Sequence, residues 1–163
     1  MISAFAAATA GRADARLVIA GADRSYPALD LTGLAAEAGV AAKVELRNYV
    51  SEADLDALYA RASVFVFLSE YEGFGLTPLE ALSAGVPIVV LDTPVAREIY
   101  ADAAWYVPRE GEVRSAAAAI VTLLDDPASR QRLLERAPAI LARYSWDVAA
   151  TETLAAIEGI VRS

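Results

Sequence analysis

Apolar positions run through this chain in two rhythms. In Ala15-Arg16-Leu17-Val18-Ile19-Ala20-Gly21, Val64-Phe65-Val66-Phe67-Leu68 and Val86-Pro87-Ile88-Val89-Val90-Leu91 they are nearly continuous and rich in β-branched and aromatic side chains. Runs of this kind predict strands of a parallel sheet, the second and third of them buried on both faces. Lys43 to Arg47 alternates and predicts a short strand, and Ala104 to Val107 an edge strand. Between the runs the period lengthens to that of a helix. Ile2 to Ala10 is helical in composition, Leu29 to Ala38 predicts a helix closed by Gly39, and Ser51 caps another with Asp54 at its third position and Leu55, Leu58 and Tyr59 on one face. Thr77-Pro78 predicts an N-cap and first helical residue, and Thr93-Pro94 opens a short helix to Tyr100.

From Gly111 onward the pattern is helical throughout. Val113 to Leu124 is one helix, Asp126-Pro127 caps a second that Pro138 should kink or interrupt, and Ser145 caps the last. In that last helix Trp146, Ala150, Leu154, Ile157 and Val161 form an apolar stripe. Strands alternating with helices at this spacing predict βαβ units: one α/β domain over residues 1–163, a Rossmann-like parallel sheet with helices on both faces and a helical C-terminal end.

With 163 residues, 56% of them hydrophobic, the chain has material for one sizeable core. The net charge of −8 argues against a nucleic-acid partner, since phosphate contacts need clustered cations and Lys43 is the single lysine. Cysteine and histidine are both absent from the composition, which removes disulfides, thiol chemistry and the commonest general base and metal ligand. No apolar run reaches the roughly 20 residues of a membrane span, and Met1 to Ala10 lacks the features of a secretory signal, so a cytoplasmic protein is expected.

The chemistry concentrates in Ser69-Glu70-Tyr71-Glu72-Gly73-Phe74-Gly75-Leu76-Thr77-Pro78-Leu79-Glu80-Ala81. A glycine turn leading from a buried strand into a helix start presents bare amides and the positive end of the helix dipole to an anionic ligand. Glu72 and Glu80 bracket it with seven residues between. Each has a plainer reading: Thr77 to Glu80 also spells a capping box, Glu72 a solvated turn residue, and Gly73 and Gly75 turn glycines needing positive φ. Phe74 reads as a core plug or a pocket wall, leaning to core. Gly21 ends a strand on the same edge. Arg97 and Glu98 read as an ordinary helix pair, and Trp105 and Trp146 as packing residues.

The bracketed turn resembles the E-x7-E motif of retaining GT-B glycosyltransferases, the group 1 and glycogen-synthase-like family. The intervening Gly73-Phe74-Gly75-Leu76 and the following Ala81-Leu82-Ser83-Ala84-Gly85-Val86-Pro87-Ile88-Val89 match the same pattern. The resemblance extends from Leu17 to Trp146 and is to the family's C-terminal, donor-binding half. It implies a donor site in which Glu72 holds sugar hydroxyls, the amides of Gly73, Phe74, Gly75, Leu76 and Thr77 meet the diphosphate, and Glu80 takes the ribose. Gly21 lines the same cleft, and the loop of Asn48, Tyr49 and Val50 receives the base. The resemblance implies a nucleotide-diphosphate sugar as donor, used without metal or other cofactor, and no DxD metal motif stands in a suitable loop. The resemblance places no catalytic residue within this chain.

Two departures from the family pattern stand out. Nothing here matches its N-terminal acceptor domain, or the first strand of the donor domain with the Arg and Lys that clamp the diphosphate; neither Arg12 nor Lys43 takes that role. The chain is therefore expected to be a fragment, inactive alone and holding its donor weakly. The Leu17 and Val64 strands are expected either to pair directly or to flank a gap. An interaction module that docks or self-associates through the Trp146 to Val161 stripe is the alternative, and a sugar-nucleotide epimerase fragment a weaker one.

Overall fold

The computed structural model describes residues 1–22 and 28–161, the last of them by its backbone alone, so the side chain of the predicted stripe residue Val161 lies outside the described residues. The order is α1 (Ile2–Ala8), β1 (Leu17–Ala20), α2 (Leu31–Glu37), β2 (Val44–Arg47), α3 (Glu52–Arg61), β3 (Phe65–Phe67), α4 (Leu76–Ser83), β4 (Ile88–Leu91), α5 (Pro94–Tyr100), β5 (Ala104–Val107), α6 (Glu112–Asp125), α7 (Pro127–Leu134), α8 (Ala137–Leu141) and α9 (Trp146–Val161). Every described strand pairing is parallel. The sheet is divided, however. β1 pairs with β2, Leu17 opposite Val44, while β4 lies between β3 and β5, with Ile88 opposite Phe65 on one side and Ala104 on the other. Of the two arrangements open to the Leu17 and Val64 strands, the gap is the one adopted.

β4 is the centre of the larger half, and all four of its residues are buried. Its side chains alternate between two layers, as the pleat requires. Ile88 and Val90 join Leu79 and Leu82 of α4, Ile99 and Tyr100 of α5 and Ile140 of α8. Val89 points the other way, with Val107 of β5 and Ala116, Ala119 and Leu123 of α6. β5 is the edge strand expected. The prediction for Val64 to Leu68 needs correction: β3 is only half-buried along its length. A strand paired on one side keeps a free edge, and its apolar run is covered less than the same run would be in mid-sheet.

α1 holds the two halves together. Ile2 and Phe5 pack with Leu17, Ile19, Ala35 and Val40, Ala4 enters the layer beneath β4 and β5, and Ala8 meets Ala117 and Ile120 of α6. An Arg12–Asp125 ion pair and a 2.6 Å hydrogen bond from Lys43 Nζ to the Arg12 carbonyl secure the segment that follows. The C-terminal end corrects a second expectation. Trp105 packs against the core, whereas Trp146 is 85% exposed and every side chain from 146 to 160 lies in the exposed class. No described helix is long and apolar enough to cross a membrane.

Candidate functional site

Parallel strands deliver all their following loops to one edge, where each helix start meets a strand end. The helix starts on this edge are finished in different ways. In α2 the Asp30 carboxylate accepts from the Gly33 N–H at 2.8 Å, in α3 the Ser51 hydroxyl from Asp54 at 3.2 Å, and in α5 the Thr93 hydroxyl from Ala96 at 3.1 Å. Each closes one of the orphan amides of the first turn. α4 has no such side chain. Its N-cap is Gly75, in the left-handed region at φ 89°, with no side-chain cap and no acidic residue in the first turn. Thr77 is thus not the N-cap that Thr-Pro suggested; it and Pro78 lie inside the first turn, where a missing N–H costs nothing. The Thr77 to Glu80 capping box is not formed. α6 also starts from a left-handed glycine, Gly111, but carries Glu112 in its own first turn.

The side chains around the α4 start follow from this geometry. Gly75 is buried, and a Cβ there would lie 2.2 Å from the Tyr100 hydroxyl, so both its φ and its space demand glycine. Gly73 has open space around it and is not among the described positive-φ glycines. The Tyr100 hydroxyl donates to the Gly75 carbonyl at 2.7 Å. Burial, and then the charge of Glu72, push the Tyr100 pKa upward. At the far end, Glu80 Oε2 accepts from the Tyr59 hydroxyl at 3.3 Å. Burial and the nearby Glu80 charge push Tyr59 up to about 12. Glu70, by contrast, pairs with Arg109 at 2.7 Å.

Glu72 and Phe74 line a shallow depression with Phe67, Ser69, Thr93 and Tyr100. Phe74 is not the core plug toward which the sequence reading leaned. It is 40% exposed, and its ring meets the edge of Tyr144 at 5.2 Å between centroids. A second cleft, of about 170 Å³, opens at the ends of β1 and β2 and is lined by Gly21, Asp30, Thr32, Leu46 and Asn48 among others. Gly21 therefore lies on a cleft wall. Tyr49, 86% exposed, and Val50 follow Asn48 in the adjoining loop. Leu76 and Thr77 are exposed at the α4 start. The predicted residues thus occupy two stations at strand ends, with β1 and β2 at one and β3 and β4 at the other.

Tyr59, Tyr100, Thr93, Asp30 and Thr32 were missed as site residues. Asp30, placed three before Gly33, carried a capping signal that the expected Leu29 start obscured. Tyr59 read as part of an apolar helix face and Tyr100 only as the end of a short helix, and neither position shows where a hydroxyl ends. Arg97, read as the partner of Glu98, instead grips Asp92 through two 2.7 Å hydrogen bonds and covers the Tyr106 ring. Its hydrogen bond holds the Asp92 carboxyl below its usual range.

Comparison with known proteins adds to this geometry. The chain is 39% identical over 107 residues to an O-antigen chain mannosyltransferase B of Escherichia coli, a match covering 66% of this chain and 28% of that protein. It is 34% identical over 144 residues to a GDP-mannose:cellobiosyl-diphosphopolyprenol alpha-mannosyltransferase of Komagataeibacter xylinus, covering 83% and 35% respectively. The chain thus spans about a third of the length of such relatives. Its fold matches a pneumococcal O-GlcNAc transferase, GtfA, solved with UDP and GlcNAc, at TM-score 0.80 and 18% identity over 99% of this chain and 33% of that one. It matches a sucrose-phosphate synthase from Thermosynechococcus elongatus at TM-score 0.80 and 24% identity, over 99% and 42%. The family model described as "Glycosyl transferases group 1" matches residues 1–139, a stretch that takes in every described strand and the glycine turn, and the chain accordingly belongs to the group 1 glycosyl transferase family.

Proposed function

We propose that this chain is the donor-binding domain of a retaining glycosyltransferase that draws on a nucleotide-diphosphate sugar. The observation that carries the reading is the start of α4: a helix end left without a side-chain cap or an acidic first-turn residue, at the strand edge, with Glu72 before it and Glu80 just beyond its first turn. The free first-turn amides and the helix dipole stabilise the diphosphate, and most strongly as it departs with extra charge. Glu72 receives donor-sugar hydroxyls and Glu80 the ribose, while the cleft beside Gly21, Asn48, Tyr49 and Val50 accommodates the base. The names of the relatives favour a mannosyl donor carried on GDP. Transfer to an acceptor requires more than this chain, in keeping with the third of its relatives' length that it spans.

Titration of the ¹⁵N-labelled chain with GDP-mannose and UDP-glucose tests the site. Shifts confined to Gly21, Glu72 to Glu80 and the Tyr49 loop are expected, and an unchanged spectrum at tens of millimolar ligand defeats the proposal. Glu72→Ala should weaken GDP-mannose binding more than GDP binding; equal losses remove its sugar-hydroxyl role. One observation favours a second reading as an interaction module: Trp146, Leu154 and Ile157 are 85%, 57% and 54% exposed on one stripe of α9. Self-association through that helix predicts a concentration-dependent sedimentation coefficient that Trp146→Glu abolishes.

A further inference from the structure

We infer that Tyr100 is a positioning residue for the donor diphosphate, acting through the peptide that joins Gly75 to Leu76. The inference rests on the donor site proposed above and deepens it. A trans peptide is planar, and its C=O and N–H point in opposite directions. The Gly75 carbonyl is held at 2.7 Å by the hydroxyl of Tyr100, a side chain only 2% exposed. The Leu76 N–H of the same plane is thereby aimed away from the core, out of the open end of α4. The contact also explains the choice of residue at 75. Tyr100 comes so close that a Cβ at 75 would lie 2.2 Å from its oxygen and 3.5 Å from its Cζ.

Tyr100 holds the carbonyl of the glycine turn itself, whereas the Tyr59 hydroxyl lies 3.4 Å from the Thr77 carbonyl, inside α4. The Tyr106 hydroxyl is also satisfied by backbone carbonyls, those of Ala101 at 2.8 Å and Ala96 at 3.2 Å, but these belong to α5 and its C-terminal end and not to the glycine turn. Tyr106→Phe therefore serves as a control that removes a half-buried hydroxyl bonded to backbone carbonyls other than that of the glycine turn.

The test measures GDP and UDP affinity, the Leu76 and Thr77 amide shifts and the melting temperature of the wild-type chain, Tyr100→Phe and Tyr106→Phe. Loss of one net hydrogen bond that orients an amide should weaken nucleotide binding about five- to tenfold in Tyr100→Phe. The Leu76 amide signal should move even without ligand, and Tyr106→Phe should lose stability alone. Because a substitution at 100 also perturbs the core, Gly75→Ala and the pair Gly75→Ala with Tyr100→Phe supply a second reading: the pair should recover part of the affinity that Gly75→Ala loses, since the closest clash is gone. Equal affinity of Tyr100→Phe and wild type, or equal losses in Tyr100→Phe and Tyr106→Phe, overturns the inference and leaves the donor site standing. A wild-type chain that binds neither nucleotide removes the donor site and the inference together.

Discussion

Two neighbouring corners of the same sheet are built from similar parts and finished differently. At one, β4 turns through Thr93-Pro94 into α5; at the other, β3 turns through the glycine run into α4. The first is closed by its own chain, with four buried strand residues, a threonine hydroxyl on the Ala96 amide and Pro94 in the first turn. The second has a half-buried strand, a glycine cap and no capping side chain. Stability is concentrated at the closed corner, and the amides left over at the open one are available to an anion. A helix end whose donors are already satisfied has little left to offer a phosphate.

Substitutions at matched positions should separate the corners. The largest effect belongs to the closed one: Ile88→Ala removes a fully buried side chain from the central strand and should cost about 2–5 kcal/mol in urea unfolding. Half-buried Phe65, directly opposite on β3, should cost less when truncated, and an equal or larger loss would break the comparison. Alkaline titration comes next. Tyr59 and Tyr106 are each pushed up to about 12 from 10.0, burial being the main cause, and Tyr100 is raised as well. Unfolded tyrosines release their protons near pH 10 while these hold theirs, so the unfolded state binds fewer protons and stability falls as pH rises from about 10 to about 12. Thermal melts across that range should show the decline, and absorbance at 295 nm should report these tyrosines ionising late.

Smaller effects come from the caps. Thr93→Ala should cost about 1 kcal/mol through loss of the α5 cap. Thr77→Ala, which a reading of Thr-Pro alone would rank as its equal, should change stability by less than about 0.5 kcal/mol, because the cap of α4 is Gly75. Equal losses from the two threonines would show that α4 is capped after all. Glu72→Ala should fall in the same near-neutral range for stability while reducing donor binding, since its side chain supports no helix.

Much of this was legible in the sequence for definite reasons. The apolar runs at Leu17, Phe65 and Ile88 predicted parallel strands because a crossover-linked sheet needs no alternation where both faces are covered. Ser51, Thr93 and Asp126 announced their helices because a short polar side chain before an apolar period reaches the amides just ahead of it. The Thr77 prediction failed by the same logic: Thr-Pro carries the same local signal as at 93, but the turn of Gly75 winds the helix two residues earlier. Burial of β3 and of Trp146 was misjudged because a pattern shows which side chains favour a core, and not whether a neighbour is there to form one.

The order of strands and helices, the glycine turn and the pair of glutamates around it were determined by the sequence itself, since each rests on residues close together along the chain. The tertiary structure decided what no local pattern encodes. It set β1 and β3 apart, made Gly75 the cap by bringing Tyr100 against it from 25 residues away, and paired Glu80 with Tyr59 across two helices. Those outcomes depend on which surfaces meet once the helices pack, and a hydroxyl finds its acceptor only then.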